Sequence, residues 1–317
     1  MIVTLTANPS WDRALALGNS LAPGEVQTAL SGREDAGGKG INVARVIAAA
    51  GTPALAVLPL APSDPFSAVV SATGLATRVV AAQSHARVNL TLTDPLGTTT
   101  KVNLPGAPMA EATADELLRS TVDACVDARW LVLAGSLPPG AGEDFYTRVI
   151  VAVREAHGGR APLIAVDASG APLRHVVAHG RPDLIKPNED ELADLVGVPF
   201  ATDLTGRAAA DHAKVLASRV VPHGARAALV TLGAAGAALV RADQAWFGRP
   251  PAITVASTVG AGDSSLAGFL LADLAGRDGG ECLANAIRYG AAAASLPGTQ
   301  PPAPSDLPPG DVPITSL

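Results

Sequence analysis

Ser257-Thr-Val-Gly260-Ala-Gly-Asp263-Ser-Ser-Leu-Ala-Gly-Phe-Leu270 joins a glycine turn to an apolar helix. Gly260 and Gly262 flank Ala261 and run into an acid, Asp263, after which Leu266, Phe269, Leu270 and Leu274 recur at helical spacing. Glycines at a helix mouth permit turns that side chains forbid, and they leave backbone N–H groups facing open space. With the positive end of the helix dipole behind them, those groups make an anion site. A carboxylate there would repel a phosphate, so it is a poor part of the grip. It is a good base. A hydroxyl attacking a phosphoryl group needs a proton acceptor on one side and N–H donors facing the developing charge on the other. An ordinary helix start with an acid in its first turn explains the same residues.

Outward from this stretch the chain alternates. Helix 112–124, strand 130–134, helix 142–157, strand 163–167, strand 183–185, helices 188–196 and 205–222, and strand 227–231 follow one another. That order predicts βαβ units, with a mostly parallel central sheet covered by helices on both faces, an α/β fold. A second glycine turn at 232–236 separates two apolar strands, and helices 261–275 and 280–295 close the core. Nearer the N-terminus, residues 2–7 read as a buried strand, and Ala36-Gly-Gly-Lys-Gly-Ile-Asn-Val-Ala-Arg45 as a glycine loop entering a helix. A short strand at 57–60 and a helix at 64–74 come next.

Four early strands differ from the central ones. Residues 12–17 and 25–33 pair around Pro23-Gly24, and 87–93 and 99–104 form a hairpin across Asp94-Pro-Leu-Gly97. They alternate polar and apolar residues, which predicts a small separate sheet laid over the core. Residues 1–300 thus read as one unit carrying lid strands within 12–33 and 87–104. A tail, 301–317, follows and is expected to lie irregularly on the surface; the last 21 residues hold seven prolines.

Composition narrows the class. With 317 residues, 48% hydrophobic and 16% charged, the chain is globular and long enough to bury a large core. A net charge of −6 with no basic run argues against a nucleic-acid binder. Only four of the 23 basic residues are lysines, Lys39, Lys101, Lys186 and Lys214, so each merits inspection. Cys125 and Cys282 fit no metal or redox spacing and read as buried free thiols. No leader-like segment opens the sequence and no apolar run approaches a membrane span, so a cytoplasmic location is expected.

The remaining candidates sit in loops at strand ends, where α/β sheets bind ligands. Gly37-Gly38-Lys39-Gly40 is half a phosphate loop, but Ile41 stands where a P-loop needs a hydroxyl. Arg87 and Asn89 share one face of a strand, or simply a solvated sheet surface. Asn188-Glu189-Asp190-Glu191 caps a helix and needs no function to explain it. Gly135-Ser136 could be a plain turn. Each is weak alone; together they occupy the same end of the sheet.

Six motifs carry a resemblance. Thr4-Leu-Thr-Ala-Asn-Pro-Ser-Trp-Asp12, Gly37-Gly-Lys-Gly-Ile-Asn-Val-Ala44, Gly135-Ser-Leu-Pro-Pro-Gly140, Val166-Asp-Ala-Ser169, Lys186-Pro-Asn-Glu-Asp-Glu-Leu192 and Ser257-Thr-Val-Gly-Ala-Gly-Asp-Ser264 resemble successive signatures of the PfkB, or ribokinase-like, carbohydrate kinases. They are most similar to the branch of bacterial 1-phosphofructokinases and tagatose-6-phosphate kinases, over residues 1 to about 300. The resemblance implies a three-layer core with a β lid, and ATP-dependent phosphorylation of a phosphorylated ketohexose, fructose 1-phosphate first. Fructose 6-phosphate and tagatose 6-phosphate are rival acceptors; a silent sugar- or nucleotide-binding regulator is the alternative outside catalysis.

It also implies roles. Asp263 matches the catalytic base, and the N–H groups of Gly260, Ala261 and Gly262 its anion hole. Asn188 and Glu191 match the motif associated with Mg²⁺ held through water. Thr231, Gly233 and Gly236, with Lys186 and Asn188, would line the ATP phosphates and ribose; Val255, Ala291 and Ser295 would flank adenine. Asp12, Gly38, Lys39, Asn42, Arg87 and Ser136 fall where the family holds the sugar phosphate. Relatives pair their lids, so a homodimer through the lid is implied. One position departs: the second lid strand reads Thr100-Lys101-Val-Asn103, with a cation where 1-phosphofructokinases carry an acid. Lys39, Arg87 and Lys101 could then converge on one phosphate dianion, which bears on the acceptor and not on the reaction class.

Overall fold

The computed structural model describes residues 1–201 and 203–317. Along the chain, β1 (Ile2–Leu5) leads into β2 (Ser10–Leu17) and β3 (Ala29–Gly37), then α1 (Lys39–Ala49), β4 (Ala54–Leu60), α2 (Phe66–Ala72) and β5 (Thr77–Ala81). β6 (Arg87–Thr93) and β7 (Thr99–Asn103) precede α3 (Glu111–Ala124), β8 (Trp130–Ala134), α4 (Phe145–His157), β9 (Leu163–Asp167) and α5 (Gly170–His179). There follow β10 (Leu184–Ile185), α6 (Glu189–Val196), α7 (Gly206–Ala217), β11 (Ala227–Thr231), β12 (Ala237–Arg241) and β13 (Ala245–Gly248). α8 (Ala261–Leu274), α9 (Gly279–Ser295) and β14 (Ile314–Ser316) complete the chain.

The larger sheet has the order β14-β13-β12-β11-β10-β9-β8-β1-β4-β5. Every pairing from β11 through to β5 is parallel, and β12, β13 and β14 extend the sheet antiparallel. β1 and β8 are buried along their whole length, as parallel strands with helices on both faces must be. Val149 and Ile150 of α4, Leu173 of α5, Leu192 of α6 and Leu216 of α7 fill one face. Ile47 of α1, Leu266 and Leu270 of α8, and Leu283 and Ile287 of α9 fill the other. The α/β expectation holds, and so does burial of both free cysteines, whose thiols burial pushes up to about 12.

Besides small shifts of bounds and the unread β5, α5 and β13, three details differ from the sequence reading. β3 starts at Ala29 and runs on to Gly37, because Gln27 closes residues 20–27 into a wide loop through Ser20 and the Ala22 N–H. α7 ends at Ala217, well short of residue 222. Ile314–Ser316 of the tail pair with β13 as an edge strand, since that edge otherwise presents unpaired backbone groups.

The smaller sheet has the order β3-β2-β6-β7. Register fixes its two faces, because directly paired residues point the same way. Asp12, Arg87, Asn89, Lys101 and Asn103 share the polar face. Trp11, Leu15, Val88, Leu90, Leu92 and Val102 share the apolar face, anchored where Trp11 packs on Phe66 of α2 with ring centroids 6.4 Å apart.

Candidate active site

β9, β10 and β11 end side by side, and their last residues open onto the mouths of α1 and α8. Gly260 supplies the turn into α8 with φ +79°, a left-handed conformation that side chains resist. Two residues into the helix, Asp263 is only 7% exposed. α1 covers the first turn of α8, and Asn42 Nδ2 donates to Asp263 Oδ2 at 2.8 Å. Burial, followed by the negative charge of Asp167, raises the Asp263 carboxyl to about 6 against the pull of Lys39, Asn42 and Lys186. That is the range of a working general base.

Asp167 is the residue that sequence reasoning passed over. It ends β9 with no solvent exposure, and it takes a lysine on each oxygen. Lys39 Nζ lies 2.8 Å from Oδ1, and Lys186 Nζ lies 3.1 Å from Oδ2. Burial opposes its ionisation, but the two ammonium groups outweigh that and hold the carboxyl below its usual range. Burial alone would lower Lys39, yet Asp167 and Glu191 keep it above the ordinary lysine value. One signal was available: a single acid closing an otherwise wholly apolar strand, Leu163-Ile-Ala-Val166.

Lys186 also reaches the mouth of α8. A side chain at Gly262 would place its Cβ 3.2 Å from Lys186 Nζ, so glycine keeps that ammonium beneath the α8 N-terminus. Asn188 and Glu191 form a reciprocal cap: Glu191 N–H donates to Asn188 Oδ1 at 2.8 Å, and Asn188 N–H to Glu191 Oε2 at 3.0 Å. Glu191 Oε1 remains, 3.7 Å from Lys39 Nζ. Among the described residues no three His, Cys, Asp or Glu side chains lie close enough to hold a metal. Oxygen donors so committed suit a hard cation that keeps most of its water, and magnesium is such a cation.

Thr231 ends β11 beside Asn188, to which it is bridged, and Gly233 and Gly236 bound the turn that follows. The loop holding the exposed Val255 is tied to α9 through Ala256 N–H, which donates to the Ala294 carbonyl at 2.8 Å. Ala291 is buried on α9, and Ser295 is exposed at its end.

The lid side is looser. Asp12 Oδ1 accepts from Ser10 Oγ at 2.7 Å and Asn89 Nδ2 at 2.9 Å, and its carboxylate lies over Gly37, where any Cβ would collide with it. Burial raises its carboxyl despite those donors. Gly38 precedes α1, and Ser136 Oγ accepts from Asn8 Nδ2 at 3.3 Å. The three cations expected to converge do not meet. Lys39 is on its carboxylates, Arg87 Nη1 donates to the Leu104 carbonyl at 3.0 Å, and Lys101 is exposed. Like charges separate onto their own partners unless an anion lies between them.

A buried base beside a glycine-lined helix mouth, with cations from both directions, is chemistry for phosphoryl transfer. The sequence matches the description "pfkB family carbohydrate kinase" over residues 6–306. The chain belongs to the pfkB family of carbohydrate kinases. Its similarity to a 1-phosphofructokinase of Rhodobacter capsulatus is 34% identity, covering 95% of this chain and 93% of the relative. A 1-phosphofructokinase of Xanthomonas campestris is also 34% identical, over 85% of this chain and 83% of the relative. The fold is similar to Escherichia coli phosphofructokinase-2 in complex with fructose-6-phosphate: TM-score 0.83, 28% identity, 96% of each chain covered. No helix among the described residues is long and apolar enough to cross a membrane.

Proposed function

We propose that this chain transfers the γ-phosphoryl group of ATP to a hydroxyl of fructose 1-phosphate, giving fructose 1,6-bisphosphate. The observation that carries the reading is Asp263, a nearly buried carboxylate raised to about 6 at the Gly260–Gly262 helix mouth. One Asp263 oxygen is fixed by Asn42, leaving the other to take the acceptor's proton. Asn42 Oδ1 is buried without a hydrogen-bond partner among the described residues, and it can accept from a sugar hydroxyl. The N–H groups of Gly260 and Gly262, with Lys186 beneath them, face the charge that develops on the transferred group, whereas the Ala261 N–H, expected to join them, donates to the Thr258 carbonyl at 3.4 Å. Magnesium, held through water at Glu191 and Asn188, would offset charge on the β- and γ-phosphates. Thr231, Gly233 and Gly236 line the nucleotide phosphates, and Val255, Ala291 and Ser295 border the base.

Asp12, Gly38, Lys39, Arg87 and Ser136 hold the sugar phosphate. The identity to 1-phosphofructokinases supports fructose 1-phosphate. A second reading, fructose 6-phosphate, is favoured by the similarity to phosphofructokinase-2 and by Lys101, a cation where 1-phosphofructokinases carry an acid. ATP-dependent turnover on fructose 1-phosphate, fructose 6-phosphate and tagatose 6-phosphate decides among the acceptors; no turnover on any would return the chain to the class of silent binders. The exposed Leu30 and Val102 and the apolar lid face support a homodimer that buries two lids against each other. A single-protomer mass by light scattering at micromolar concentration would count against that assembly.

A further inference from the structure

Two helix mouths that face the cleft each carry one lysine, and both lysines end on the same carboxylate. Lys39 is the first residue of α1, on the side of the proposed acceptor. Lys186 follows β10 and lies against Gly262 in the first turn of α8, on the side of the proposed nucleotide. Asp167 sits between them with no solvent exposure, one oxygen to each ammonium, at 2.8 and 3.1 Å. We propose that Asp167 is a positioning residue that couples the two halves of the site, by sharing its charge between a lysine at each helix mouth. The inference rests on the kinase reading above for the identity of the two ligands.

The physical basis is competition for a buried charge. A carboxylate removed from water must be paired, and here neither lysine alone takes all of it. Each ammonium is therefore held in place yet remains available to a phosphate. Removing Lys39 leaves the whole Asp167 charge to Lys186, which is then drawn back from α8. Removing Lys186 acts on Lys39 in the same way. In the protein interior, charges a few ångströms apart feel such changes strongly, because little water screens them. Each lysine thus affects a ligand that it does not touch, and that cross-effect sets a positioning role apart from a merely structural one.

The test measures ADP and fructose 1-phosphate binding separately by calorimetry, in wild type and in the Lys39→Met, Lys186→Met and Asp167→Asn variants. ADP is the probe because it lacks the phosphoryl group that approaches α1. Lys39→Met is expected to weaken ADP about fivefold, and Lys186→Met to weaken fructose 1-phosphate by a similar factor. In the Asp167→Asn background, adding Lys39→Met should leave ADP affinity unchanged, because the shared charge is gone. ADP affinity within twofold of wild type in Lys39→Met overturns the proposal, as does a cross-effect that survives Asp167→Asn. Should Asp167→Asn fail to fold, the two lysine variants still decide, since both keep the native carboxylate. If wild type binds ADP but no fructose 1-phosphate, the substrate assignment falls, and the ADP measurement on Lys39→Met still decides the coupling.

Discussion

The two sheets treat charge in opposite ways. At the end of the larger sheet, Asp167 is fully buried and Lys186 is 5% exposed, and both are already paired. On the lid, the Arg13–Glu34 pair has side chains 42% and 47% exposed, and Lys101 stands open. Buried charges hold their geometry before any ligand arrives, so little reorganisation is left for the moment of reaction. Exposed charges are screened by water, and their pairs hold geometry only weakly until something covers them. Under the proposed function the difference would separate tasks: phosphoryl chemistry in the core, acceptor recognition beneath the lid.

The sharpest way to break this division is at Asp263. Asp263→Asn keeps the shape and the Asn42 neighbour but removes the proton acceptor. Turnover is expected to drop at least about a hundredfold, the loss typical of a missing general base, while ADP binding persists. Near-normal turnover would make Asp263 an ordinary first-turn acid and leave the core with no catalytic carboxylate.

The same residue predicts a pH profile. A base works only when ionised, and burial has raised this carboxyl to about 6. Activity should therefore be full above about pH 7 and fall as pH drops through 6, about tenfold for each further unit. An unperturbed aspartate would instead keep its activity down to about pH 4. Measuring kcat/KM from pH 5 to 8 separates the two, with circular dichroism at each pH to exclude unfolding.

The core was more legible in the sequence than the lid, for the same physical reason. Apolar strands such as Trp130–Ala134, and Leu163–Asp167 up to its closing acid, announce burial on both faces, and the structure has both with those bounds. The glycine mouth at Gly260 and the Asn188–Glu191 cap are local signals, and both stand. Asp167 was not legible as a partner, because its two lysines lie 128 and 19 positions away and meet it only through sheet order. The lid's second strand was misplaced because Pro23-Gly24 mimics a tight hairpin, whereas side-chain bonds from Gln27 close a wider loop. Lys101 could be assigned to a face from its period, but not to a partner.

At the mouth of α6 lies Glu191, whose carboxylate caps its own helix on one oxygen and faces Lys39 on the other. Glu191→Gln keeps a capping group and removes the charge. The magnesium concentration for half-maximal rate is expected to rise about tenfold, with the sugar-phosphate KM changed less than threefold. An unchanged magnesium titration would remove this acid from the metal's surroundings and reduce it to a cap, which sharpens the boundary of the catalytic core.

The smallest effect is expected at Lys101, and it tests the lid directly. The residue pairs with Thr91 across β6 and β7, and so shares the polar face with Asp12 and Arg87. Exposed as it is, its contact with a phosphate dianion would be partly screened, well below the strength of a buried charge pair. Lys101→Ala should therefore raise the KM for the sugar phosphate about fivefold, leaving kcat and the KM for ATP within twofold. The loss should also shrink at high salt, as a screened contact does, whereas the defect of Asp263→Asn should not. A sugar-phosphate KM within twofold of wild type would make Lys101 a solvated surface residue, and would leave fructose 6-phosphate supported only by the similarity to phosphofructokinase-2.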